Sequence, residues 1–156
     1  MRLLSLAIAA GICAITACSG TPVPDPPDVS GIWTFTYTNL SSGAIQCHGT
    51  LTLNISQTGE VFTGQQLGTG TIGCNGAVPA FAMVAPDDSN VVIGGEVLHA
   101  GRSDGGDVAF ALEQLDSQDA GSVTSPSAMS GTSTWNLPIQ PHGTLLLHGN
   151  WSAVKQ

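Results

Sequence analysis

Residues 101–105 read Gly-Arg-Ser-Asp-Gly, the Gly-x-Ser-x-Gly spacing of a nucleophile elbow. In an elbow a strained strand-to-helix turn projects the serine hydroxyl, here Ser103, for acyl transfer. Asp116, Asp119, His142 and His148 follow in serine, acid, histidine order, and residues 107–118 can be read as the helix after the turn. Two features oppose this. Val108, Phe110 and Leu112 alternate with Ala109, Ala111 and Glu113, which is a strand period. An elbow also needs a mostly parallel sheet with crossover helices, and no other segment has a helical period. Three fixed residues match cheaply in a chain with 20 glycines and 15 serines. A hairpin turn is the expected role of this segment, with a serine esterase as the remote alternative, and no catalytic residue is assigned.

The remaining candidate ligands are sparse. His48, His99, His142 and His148 show no paired metal-binding spacing, and Cys47 with Cys74 and His48 matches no zinc pattern. Asp104 with Asp107, and Asp116 with Asp119, are acid pairs that lack the Asp-x-Asp-x-Asp-Gly calcium loop and read as solubilising turns. No metal and no cofactor is expected.

The elements that must position these residues belong to an unusual composition. Charged residues make up 9% of the 156-residue chain, against ~25% in an ordinary domain. Three cations face eleven acids, for a net charge of −8, so nucleic acid and anionic lipid head groups are poor partners. A hydrophobic fraction of 42% is too high for disorder and suits one domain with one modest core.

Arg2 precedes an uncharged apolar run over residues 3–15, shorter than the ~20 residues of a permanent membrane span. Ile15-Thr16-Ala17-Cys18 then resembles the lipobox of bacterial lipoproteins, with Ile where Leu is commoner. The resemblance implies diacylglycerol on the Cys18 thiol, cleavage before Cys18 and acylation of the new amino terminus, palmitate included. Multiple acyl chains anchor stably where one holds marginally. Ser19 stands where an Asp would signal inner-membrane retention, so the resemblance implies an outer-membrane or surface location in the cell envelope. Residues 1–17 are thus expected to be a signal peptide and 18–29 the lipidated Cys with a Pro-rich tether. In that oxidising setting the two leftover cysteines, Cys47 and Cys74, are expected to pair. They open the second and fourth of the expected strands, ~9.5 Å apart, beyond the ~7 Å reach of a disulfide. One of them must therefore sit beyond the intervening strand.

Residues 30–156 read as a strand-built domain. Trp33, Phe35 and Tyr37 alternate with Thr34, Thr36 and Thr38, and Leu51, Leu53 and Ile55 alternate with polar neighbours. A hairpin is expected at Gln57-Thr58-Gly59, leading into residues 60–65. Further runs cover 71–74, 78–84, 91–98, 108–115, 128–137 and 144–154. With 71–84 counted as one bent strand, there are eight. The expectation is all-β, an eight-stranded antiparallel up-and-down barrel, with a β-sandwich as the alternative. Gly31-Ile32-Trp33 resembles the opening Gly-x-Trp of lipocalins, whose Trp plugs the closed end of the barrel. The chain lacks a counterpart of their second loop motif and has Lys155, not Arg, near its end. Closure should bring the inward-facing Trp33 and Trp151 together at one end, leaving a mouth near Cys47 and Leu137. The expected function is that of a non-enzymatic, monomeric lipoprotein binding a small apolar ligand in the barrel, at residues the sequence does not identify. The alternative is a structural or interaction lipoprotein with a filled core.

Overall fold

Strong alternation of small polar and large apolar residues produces strands throughout the computed structural model, which describes residues 25–75, 91–138 and 143–156. The first half of the chain gives β1 (Gly31–Ser42), β2 (Ile45–Thr58), β3 (Val61–Gln66), β4 (Thr69–Asn75) and β5 (Val91–Gly94). The second half gives β6 (Val97–Asp104), β7 (Asp107–Leu112), β8 (Ser117–Ser125), β9 (Ala128–Pro138) and β10 (Thr144–Lys155). Every pairing is antiparallel. β1 pairs with both β2 and β10, so the sheet closes on itself and the β-sandwich alternative is excluded.

Ten strands make eight walls because two walls are bent. β3 and β4 lie in succession along the same edge of β2, and β6 and β5 lie in the same way along β3 and β4. Gly68 and Gly95 sit at the two bends with φ of +68° and +78°, values that cost a residue without Cβ little. The result is a closed, eight-stranded up-and-down barrel.

The strand count expected from sequence was right through two compensating differences. Residues 71–74 do not begin a separate wall but continue β3, and the expected run at 78–84 lies outside the described residues. β8, in turn, has no apolar period to announce it. Its inward positions are Ser117, Asp119, Gly121 and the half-buried Val123. The run 91–98 is split into β5 and β6, and β6 goes on to Asp104. Residues 107–118 form no helix: β7 ends at Leu112, a turn follows, and β8 begins at Ser117.

The inner surface is packed from all sides. Trp33, Phe35, Tyr37, Leu53, Phe62, Leu98, Leu112, Trp135, Leu147 and Trp151 are each at most 2% exposed. At Thr38 and Asn39 a bulge with φ +54° at Asn39 shifts the register, so Tyr37 and Leu40 both point inward. Gly121 and Gly131 face each other across β8 and β9. A Cβ on either would meet backbone of the neighbouring strand at 2.2 or 2.0 Å, so this sharply coiled corner requires glycine.

Closure holds, but the two end tryptophans do not meet. Trp151 pairs with Tyr37, four residues and ~13 Å along β1 from Trp33. Its ring packs on Phe35 and Phe110 instead, while Lys155 Nζ stands 5.6 Å over the Trp33 ring. Trp33 and the chain before β1 together close the lower end. Val29 is fully buried, its carbonyl accepts from Trp33 Nε1 at 2.8 Å, and its amide donates to Gln57 Oε1 at 2.7 Å.

Candidate functional site

Residues 101–105 occupy the end of β6 and its turn, with no elbow. Gly105 and Gly106, both at positive φ, turn the chain directly into β7. Ser103 is buried and its hydroxyl donates to the Pro27 carbonyl at 3.4 Å. The supposed partners are dispersed. His148 Nδ1 lies 3.1 Å from Thr134 Oγ1 on the outer face, Asp116 accepts from Asn136 Nδ2 at 3.0 Å, and Asp119 points into the barrel. His142 is outside the described residues, as are Arg2, the lipobox with Cys18, and Ser19. No group of three or more His, Cys, Asp or Glu comes together among the described residues.

Cys47 and Cys74 form a disulfide with Cα atoms 4.0 Å apart. The obstacle foreseen from sequence disappears because β4 lies directly beside β2, which makes the two cysteines cross-strand partners. Cys47 is 2% exposed and Leu137 is fully buried, so both belong to the packed core rather than to an open mouth.

The chemistry-bearing groups that do converge lie inside the barrel, against β8. Asp119 is 3% exposed and sits between Phe110 of β7 and Ser133 of β9. Ser117 Oγ donates to Asp119 Oδ2 at 2.5 Å and accepts from the Leu112 amide at 3.2 Å. The hydroxyls of Ser133 and Tyr37 approach the same carboxyl closely enough to stabilise its anion. Neither completes a hydrogen bond of good geometry, however. Tyr37 Oη, Ser133 Oγ, Asp119 Oδ1 and Trp135 Nε1 are all buried without a partner. The Tyr37 and Trp135 rings pack edge to face at 5.0 Å, which places the indole beside this cluster.

Burial dominates the electrostatics. Desolvation raises the Asp119 pKa to about 6, the three hydroxyls oppose the rise, and Glu96 adds to it. Desolvation also drives the Tyr37 phenol well above its usual value, so it stays neutral. Glu96, 1% exposed, has its carboxyl raised by burial and restrained by backbone amides. Oε1 accepts from Val97 and Gln114 at 3.1 and 2.8 Å, and Oε2 accepts from Leu115 at 3.2 Å. Those bonds tie the turn between β7 and β8 to the bend between β5 and β6.

A surface cleft of about 450 Å³ backs onto the cluster. Residue-by-residue pairing of β7 with β8 ends at Phe110 and Asp119, and Ala100 forms a bulge in β6 with φ +52°. The small side chains of Ala100, Ala109, Ala111 and Ala120 leave the space above that seam, with Phe110 and Asp119 also lining it.

Sequence reasoning named Asp119 as a candidate triad acid and as a turn acid, and Tyr37 only as part of an apolar strand face. It missed Ser117, Ser133 and Glu96. The available signal was the period-two series Ser117, Asp119, Gly121, Val123 between two turns, which carries no hydrophobic contrast. Compared with protein-family models, curated proteins and solved structures, the chain matches none.

Proposed function

We propose that the protein is a lipid-anchored lipoprotein of the bacterial cell envelope whose barrel is a solid, non-enzymatic scaffold that meets an envelope partner through its outer surface. The observation that carries the solid-core part is the contact of Phe35 with Phe110. They stand on opposite walls of the eight, yet their ring centroids are 5.5 Å apart. Trp135 of β9 likewise reaches across to β2, three walls away, where a Cβ on Gly49 would lie 3.4 Å from its ring. Side chains thus cross the lumen at two levels. A barrel that holds an apolar ligand needs several hundred Å³ of connected interior space, so these crossings weigh against the small-ligand reading and favour a filled core. The anchor rests on Ile15-Thr16-Ala17-Cys18.

Two measurements test this. Cys18→Ala should abolish palmitate incorporation and membrane fractionation, and a variant that stays labelled would sink the anchor. Native mass spectrometry of protein from its own host should show the bare polypeptide mass plus its lipid. A co-purifying apolar molecule released on unfolding would restore the ligand-binding reading.

A further inference from the structure

We infer that the outer groove along β7 docks a short, extended, basic peptide segment, which rests on the reading of the barrel as a scaffold that meets its partner through its outer surface. The 450 Å³ cleft is one end of this groove. A second cleft of about 390 Å³ shares Ala109 and Ala120 with it, so the two join into one depression. The groove follows β7 from Asp107 to Ala111, ~14 Å, the length of four or five extended residues.

A barrel is convex outside, and side-chain size hollows this part of it. One lateral row of paired residues runs Arg102, Ala109, Ala120 and Thr132 from β6 to β9. Two methyl groups therefore lie between a guanidinium and a threonine. Ala111 and Gly121 extend the low floor along the strands, and the bulge at Ala100 interrupts the β6–β7 pairing beside it. Such a floor lets a peptide come close only where its own inward side chain is small.

The two ends differ in charge, and this selects the occupant. At the lower end Asp104 and Asp107 are exposed and directly opposite each other across the strands, where like charges repel. Arg102 stands 3.4 Å from Asp104 but also 3.1 Å from Glu60. Three carboxylates thus share one guanidinium, and Asp107 has no ion pair among the described residues. A ligand cation beside Asp107 relieves that repulsion, and the net charge of −8 draws it in. At the upper end Gln118, Thr132 and Thr134 offer uncharged donors and acceptors. Alternate side chains of an extended peptide face the floor, so the complement is Lys or Arg, then a small residue two positions on, then a polar one.

The test is a bead library of random hexapeptides, one sequence per bead, probed with the labelled full chain. Retained sequences should share a Lys or Arg with a small apolar residue two positions away. A retained hexapeptide, resynthesised, should saturably perturb the NMR signals of residues 107–111 and 118–121. Ala120→Leu fills the floor and should weaken binding by roughly tenfold or more, as should Ala109→Leu on the facing strand. Asp107→Asn should weaken it about threefold, the scale of one exposed ion pair. Thr36→Val, on a distant wall, should leave it unchanged. No retained sequence, retained sequences without a cation, or equal binding by both leucine variants would overturn the inference. A dimer that Ala120→Leu dissolves would give the groove to a second copy and overturn it too. None of these outcomes touches the anchor or the filled core, which palmitate labelling and native mass spectrometry read separately.

Discussion

The inner faces of β1, β2 and β10 and those of β8 and mid-β9 line one barrel but are built oppositely. The first group presents Trp33, Phe35, Tyr37, Leu51, Leu53, Ile55, Leu145, Leu147 and Trp151. The second presents Ser117, Asp119, Gly121, Gly131 and Ser133. The large residues of one group occupy the room left by the small residues of the other, as close packing demands. Trp151 pairs with Gly131, and its indole donates to the Thr132 carbonyl at 3.0 Å. The apolar half therefore supplies most of the burial energy, while the small polar half supplies space and places a carboxyl in the middle of the core.

The comparison predicts unequal responses to substitution. The largest should be Phe35→Ala, which removes a ring touching Phe110 and Trp151 and should cost about 3–5 kcal/mol in chemical denaturation. A loss below 1 kcal/mol would mean that the rings do not span the lumen. Next is the disulfide at the upper end of β2. Replacing Cys47 and Cys74 together by Ser opens a loop of separation 27 and should cost roughly 3 kcal/mol. Thiol titration of the untreated wild type should find none of the two reactive.

The polar half should respond with the opposite sign. Asp119 has a folded-state pKa of about 6, above its ordinary 3.8. The folded form thus holds this proton more tightly than the unfolded chain does. Its contribution is full below pH ~4 and is lost as pH rises through 6. Stability should fall by up to about 3 kcal/mol over that window, and Asp119→Asn should flatten the curve. A variant whose pH profile parallels the wild type would assign the dependence elsewhere. The smallest effect belongs to the outer face. Thr36→Val, on the solvent side of β1, should change stability by under about 0.5 kcal/mol.

These two halves also differ in how far the sequence reveals them. β1, β2 and β10 stand out because one face meets the core and the other meets water, so hydrophobicity alternates along the chain. β8 satisfies the same geometry with small polar residues inside. Its partners are large rings brought from β1, β7 and β10, and no local pattern encodes them. The site around Asp119 was illegible for the same reason: Ser133 meets Asp119 only through the β8–β9 register, and Tyr37 reaches it only from across the barrel.

Local chemistry by itself determined the strand period of the strongest walls, the glycine turns at Gly59 and at Gly105 with Gly106, the acidic charge balance and the choice of cysteine pair. These depend on side-chain alternation, on backbone φ and on counting, all properties of a residue and its near neighbours. Tertiary structure alone decided that β3 and β4 share one edge of β2, which puts Cys47 beside Cys74. It also decided that Trp151 packs on Phe35 and Phe110 rather than on Trp33, and that a carboxyl is enclosed among three hydroxyls. Register and closure govern those outcomes, because a strand's neighbours inside a barrel are set by the stagger of the whole sheet and not by the strand itself.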